Sequence, residues 1–233
     1  PVHVSRFGAV GDGATDDTAA LVAAGASGRE VHFSTGGVYN FRGPVTISEG
    51  TRWITNGARL YCTTPRNNYN IVLQSDTFVD VLDASFAGGN DDRGVLVEGS
   101  HVEVGRMRLV ARTASTARNY RRRGLVIGAE GVGCEHVRLG DVRVEGFLDS
   151  VGSWNGTDVT VDRLEVRSTV PGAGRSGGGG NVATRNNGLR VINSPGFTAN
   201  RVYVENFDWA VWFEESRAFE VGWLEVSTYS LAV

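Results

Sequence analysis

Lysine is missing altogether from this chain, whose 23 basic residues are all arginine. Set against 26 acidic residues they leave a formal net charge of −3, which argues against a general nucleic-acid binder. No apolar run approaches the roughly 18 residues of a membrane-spanning helix, so no membrane partner is expected, and no secretory signal is visible. Cysteine occurs twice, and Cys62 and Cys134 fall at different offsets of the repeat described below, on rungs three apart, which argues against a disulfide. The histidines His3, His32, His101 and His136 stand at no metal-ligand spacing, and neither a Ser/His/Asp arrangement nor a phosphate-binding loop occurs. No metal and no cofactor is therefore expected.

Glycine is abundant, with 32 residues, and so is one spacing rule: from 79 to 226 apolar residues recur at a, a+2, a+5 and a+7. The copies are Val79, Val81, Ala84, Phe86; Val102, Val104, Met107, Leu109; Val137, Leu139, Val142, Val144; Val159, Val161, Leu164, Val166; Phe197, Ala199, Val202, Val204; and Phe219, Val221, Leu224, Val226, with a weaker one at Trp53, Thr55, Ala58, Leu60. Apolar residues two apart predict a short strand with one buried face, and the three-residue step predicts a tight corner, hence two strands and a corner per copy. A third short strand is predicted at 94–97, 124–127, 150–153, 188–191 and 210–213. Three strands in an undecorated period of about 22 residues describe one coil of a parallel β-helix, where no rung folds without its neighbours. Counting from the first strands at 31–47 gives about eight rungs, on the order of 38 Å of axis.

Ahead of the rungs, Thr15 or Asp16 can cap a helix whose first turn carries Asp17, which Ala19 to Ala26 propagate and Gly28 stops. Such a helix can cover the first rung's open edge. The segment FGAVGDGATDDTAAL, Phe7 to Leu21, resembles the entry segment of the pectate-lyase superfamily, which recurs in phage tailspikes, polygalacturonases and related polysaccharide-active proteins. The resemblance implies an all-β fold, a right-handed single-stranded parallel β-helix with an N-terminal capping helix. Residues 1–28 are then the entry segment and cap, and 29–233 the β-helix. Asp12, Asp16 and Asp17 are expected to serve as turn and cap residues. Nothing after Val226 reads as a C-terminal cap, so a longer native chain, or a neighbouring subunit over the last rung, is expected.

Two long insertions, Leu109 to Gly124 and Val166 to Gly188, leave the cylinder at the same predicted corner, two rungs apart. Insertions gathered on one face of a repeat protein often build its binding surface. They carry Arg112, Arg118, Arg121, Arg122 and Arg123 in the first case and Arg185 and Asn186 in the second. Arginine forks onto carboxylate or sulfate in a bidentate manner, so the cluster suits an acidic glycan or, equally, an acidic neighbouring subunit.

Beside these loops, strict alternation faces Val95, Leu125, Val151, Leu189 and Val211 inward. It puts Asp92, Arg122, Leu148, Asn186 and Asp208 in one outward column and Leu96, Val126, Gly152, Arg190 and Trp212 in another. Asp149 lies one residue off the first column, where a small bulge would bring it outward. Asp149 and Asp208 would then stand two rungs apart, roughly 9 to 10 Å, near the upper end of the separation inverting glycosidases use. Asp149, Asp208 and Asp92 are the candidate catalytic residues. Arg118, Arg121, Arg122, Arg123, Arg185, Asn186, Arg190, Trp209 and Trp212 are the candidate ligand-binding residues, the tryptophans as flat platforms for a sugar. Each has a duller role open to it: Asp and Asn satisfy backbone groups at turns, and Trp154 and Trp212 can pack between rungs.

Two functional readings remain, with a third behind them. A phage tailspike or tail-fibre type β-helix, located on the virion tail or otherwise extracellular, would recognise a cell-surface polysaccharide, with or without depolymerising it, as a homotrimer. A free secreted glycoside hydrolase or polysaccharide lyase would use Arg122 or Arg123 to neutralise a uronate and Asp149, Asp208 or Asp92 for acid/base work. The third is a purely structural β-helix. The Gly-His-Gly and Arg-Ile-Lys expected of a polygalacturonase and the Arg-x-Pro-x-x-Arg expected of a pectate lyase are absent, and Asp91 and Asp92 are too few for a calcium site. An outward Leu96/Val126 ridge would call for a protein partner.

Overall fold

The computed structural model describes residues 1–64, 68–87, 93–112, 123–128, 133–168, 187–207 and 209–227 of the 233-residue chain. Their strands form two parallel sheets wound into a β-solenoid. The larger, twelve-stranded sheet runs through Val2–His3, Glu30–His32, Arg52–Ile54, Phe78–Phe86, Glu103–Ala111, Cys134–Glu145, Gly156–Arg167, Thr198–Glu205 and Glu220–Ser227, with Asp12–Asp16, Val38–Arg42 and Arg59–Thr64 beside this path. The smaller comprises Val45–Ile47, Tyr69–Leu73, Arg93–Val97, Arg123–Ile127, Asp149–Trp154, Asn187–Ile192 and Trp209–Glu214. Its seven strands give seven turns, against an expectation of about eight.

The a, a+2, a+5, a+7 residues form the core: Val104, Met107 and Leu109 are buried, as are Leu139, Val142 and Val144 above them. The expected break into two strands does not occur from Phe78 onward, where each copy is one continuous strand. Two consecutive outward residues, such as Gly105 and Arg106 between buried Val104 and Met107, absorb the three-residue step without ending the ladder. A discrete corner appears one coil earlier. There Asn56 and Gly57, at φ 54° and 75°, separate Arg52–Ile54 from Arg59–Thr64. Asp80 of the next coil braces it, its Oδ1 accepting from Thr55 N (2.7 Å) and Thr55 Oγ1 (2.9 Å).

The first strong copy is also displaced. Val104 pairs with Val79 and Met107 with Leu82, so the copy reads Thr77, Val79, Leu82, Ala84, and Val81 is not in the core. Alternation continues past a+7 to buried Phe86, as it does to Ala111 in the next coil, and this extra step lets two windows fit the same residues.

The helix spans Thr18–Gly25, shorter than expected. Its N-cap is Asp17, whose carboxylate turns back to accept from Val10 N (2.7 Å) and Gly11 N (3.1 Å), while Asp16 accepts from Thr18 N (3.1 Å). Asp12 accepts from Ala14 N and Thr15 N, and these bonds hold its pKa below the ordinary carboxylate value. The aspartates of the entry segment thus serve local backbone, as expected. Leu21 and Ala24 bury into the core, and Gly25 lies so close to Thr46 O that a Cβ would overlap it.

Cys62 and Cys134 are buried and no disulfide joins them; burial pushes the Cys134 thiol up to about 11. Both long insertions connect a strand of the larger sheet to one of the smaller, leaving after Ala111 and Arg167 and returning at Arg123 and Asn187. The two exits are two rungs apart on the same edge, as the spacing predicts.

Candidate functional site

The smaller sheet carries the candidate residues on its outward face, and its register decides which ones share a column. Arg93 pairs with Arg123, Arg123 with Asp149, Asp149 with Asn187, and Asn187 with Trp209. The outward column is therefore Arg93, Arg123, Asp149, Asn187, Trp209, one residue later than strict alternation places it. Asp149 stands in it on every rung's own register, without a bulge of its own. Small residues explain the slip. A Cβ on Gly124 would lie 2.5 Å from Val144 Cγ1 and 3.1 Å from Phe147 Cδ2, both core atoms. Ser150, at the same register position, is fully buried and donates through Oγ to Phe147 O at 3.1 Å. Position 124 thus faces the core together with Leu125, and two consecutive inward residues return the chain to outward parity at Arg123 rather than Arg122.

The second column, Leu96, Val126, Gly152, Arg190 and Trp212, is in register as expected. Its lower half is not an exposed ridge. Leu96 and Val126 are buried with Tyr69, against Val72 and Trp154, so this stretch needs no partner to cover it. Trp154 folds back over Gly152, where a Cβ would overlap the indole; its role is packing within the chain. Guanidinium groups lie over the aromatic rings, Arg93 on Tyr69 (5.4 Å), Arg123 on Trp154 (4.9 Å) and Arg190 on Trp212 (4.8 Å).

The upper half holds the polar centre. Asp149 has a side chain only 16% exposed; its Oδ1 accepts from Asn187 Nδ2 at 3.0 Å, and Arg123 Nε lies 3.6 Å from its Oδ2. Burial raises the Asp149 pKa above the ordinary carboxylate value, opposed in turn by the Asn187 hydrogen bond and the charges of Arg123 and Arg190. Arg190 pairs with Glu214 at 3.6 Å, and its buried Nε has no hydrogen-bond acceptor among the described residues. Trp209 and Trp212 meet at 4.4 Å between ring centroids, tilted by 35°. The structure therefore brings together Arg123, Asp149, Arg190, Trp209 and Trp212, and adds Asn187 and Glu214, which sequence reasoning missed. Asn187 was hidden by the one-residue slip. Asp92, Asp208, Arg118, Arg121, Arg122, Arg185 and Asn186 lie outside the described residues.

The arrangement offers a protonatable, largely buried carboxyl, two arginines and a two-indole surface on four successive rungs. Among the described residues no group of three or more His, Cys, Asp or Glu side chains is arranged to hold a metal ion, and no helix is long and apolar enough to cross a membrane.

No protein-family model matches this chain, and no curated protein matches it in sequence. Solved structures share its architecture. The Dettilon tailspike protein superposes on 100% of this chain with a TM-score of 0.60 at 14% identity, the match covering 47% of the tailspike. A protein of Parabacteroides merdae, provisionally named a glycosyl hydrolase, superposes on 98% of this chain with a TM-score of 0.53, also at 14% identity, over 96% of its own length. This chain thus spans about half the length of the tailspike it resembles, and at such identity the likeness establishes the β-solenoid fold.

Proposed function

We propose that this chain is a tailspike-like β-helix of a phage tail that binds an anionic cell-surface polysaccharide on the outward face of its smaller sheet and cleaves it there. The observation that carries the reading is Asp149, a carboxyl raised in pKa by burial, set between Arg123 and Arg190 beside the Trp209/Trp212 pair. Tryptophan faces take the apolar face of a sugar ring, and the partly exposed Arg190 guanidinium takes a carboxylate or sulfate. A carboxyl whose pKa burial raises gives its proton to a departing glycosidic oxygen more readily than an ordinary one does in the same place. Asp208, next to Trp209 in the sequence, is the proposed second carboxylate. The tailspike fold likeness supports the phage-tail placement, and the proposed assembly there is a homotrimer. The likeness to the P. merdae protein supports the rival, a free secreted hydrolase or lyase with the same site.

The test is a panel of acidic and neutral bacterial polysaccharides, followed for binding, new reducing ends and the absorbance of unsaturated uronates. Product from one glycan, lost in Asp149→Asn with binding retained, is the expected result. Binding without product reduces the site to recognition, and no binding to any glycan overturns the reading. Light scattering on the eluting protein separates the rivals, because a strict monomer is incompatible with the trimeric spike.

A further inference from the structure

The four histidines, scattered in sequence, fall into two neighbouring pairs in the fold. His101 and His136 are 5.2 Å apart between ring centroids and stacked at 28°, although an insertion separates them in the chain. They belong to a vertical column of corner residues, Asp76, His101, His136 and Asp158, whose φ values of 55°, 57°, 55° and 55° put all four in the left-handed region. The strand registers on either side place these residues on four successive rungs. Asn, Asp and His enter that region most readily, which accounts for each residue singly. It does not account for two stacked imidazoles flanked by a carboxylate at each end.

A carboxylate faces one nitrogen of each ring. His136 Nδ1 is hydrogen-bonded to Asp158 Oδ2 at 2.7 Å, and His101 Nδ1 lies 3.6 Å from Asp76 Oδ1. The Asp158 carboxylate on His136 Nδ1 fixes that nitrogen as the N–H and leaves Nε2 with the lone pair, the arrangement that orients metal-binding histidines; Asp76 stands beyond hydrogen-bond reach of His101 and acts on it through charge. Both rings are exposed, with side chains 63% and 51% accessible. Two metal–nitrogen bonds of about 2.1 Å hold tetrahedral ligand nitrogens about 3.4 Å apart, so the rings, stacked at 28° with centroids 5.2 Å apart, turn out of the stack toward each other to share one ion.

We propose that His101 and His136 form a two-histidine site for a divalent transition-metal ion of the Zn2+ or Ni2+ class, with Asp158 orienting the His136 ring, Asp76 adding its charge beside His101 and water completing the coordination. The other pair makes a built-in control. His3 and His32 are register partners, but both nitrogens of His3 are already engaged, Nδ1 with Ser5 Oγ at 2.8 Å and Nε2 with Ser34 Oγ at 3.4 Å. Cys134 does not compete, since its side chain is fully buried in the core.

The test is calorimetric titration of the untagged chain with Ni2+ and with Zn2+ at mildly alkaline pH, with circular dichroism melts to confirm folding of each variant. Asparagine keeps the left-handed corner available, so His101→Asn and His136→Asn remove the ligand without breaking the turn. One saturable site is expected, weakened at least tenfold by either substitution, several-fold by Asp158→Asn, and unchanged by His3→Asn. Imidazole resonances of His101 and His136 should shift together on addition of Zn2+. Absence of saturable binding, or binding that survives His136→Asn in a folded variant, overturns the site, as does binding lost in His3→Asn.

Discussion

Asn187 and Asp149 face each other across one rung, with Asn187 Nδ2 donating to Asp149 Oδ1 at 3.0 Å. Arg123 approaches the same carboxylate from the rung below, 3.6 Å away. Both favour the charged form, yet burial outweighs them and raises the pKa. The carboxyl is therefore solvated by two side chains that also line a surface a ligand can reach.

That balance predicts how stability depends on pH. A carboxyl whose folded pKa lies above its unfolded one contributes stability that is complete below the unfolded value and lost as pH rises through the folded value. Asp149→Asn removes the group that must ionise in a poorly solvated place, and its amide can still bond to Asn187. The variant should be more stable than the parent at neutral pH, an advantage that disappears in acid. Urea unfolding from mildly acidic to neutral pH reads this directly. Parallel curves for the two proteins would mean that burial does not govern Asp149.

Gly152 and Trp154 give a second prediction. The indole lies where a Cβ at 152 would be, so Gly152→Ala must push the ring outward. Overpacking of this kind costs about 1–3 kcal/mol, and the displaced indole uncovers Val126 and the Arg123 contact. The expected signature is a red shift in tryptophan emission together with the lost stability. An unchanged spectrum would show that the ring is not seated on Gly152.

The solenoid was legible because its period is written in inward residues, which must be apolar on every rung whatever the loops do. Val104, Met107 and Leu109 and their counterparts above are buried as their spacing requires. Places where two consecutive residues share a face were not legible. At Gly105/Arg106 both face out and the strand continues; at Gly124/Leu125 both face in and the site column moves from Arg122 to Arg123. Glycine gives no hydropathy signal, so alternation counted across it comes out one residue wrong. The His101/His136 pair was hidden for another reason: the insertion between their rungs obscures a register that only the folded ladder displays.

Depth along the solenoid axis gives the last prediction. Leu164, Val202 and Leu224 occupy one core column on three successive rungs, with Leu164 paired to Val202 and Val202 to Leu224. Leu164 is 1% exposed, whereas Leu224, on the last described rung, is 47% exposed. The same truncation should therefore have unequal effects. Leu164→Ala leaves a cavity walled by rungs on both sides and should cost about 2–5 kcal/mol. Leu224→Ala removes a side chain that water already reaches, so the cost should stay under about 1 kcal/mol in a monomer. Chemical denaturation of both variants makes the comparison, with the Leu164 variant as the internal standard for a closed rung. A cost at Leu224 approaching that at Leu164 would mean that another copy of the chain covers the last rung in solution. The destabilisation should then shrink on dilution, because a contact between chains weakens with concentration and one within a chain does not.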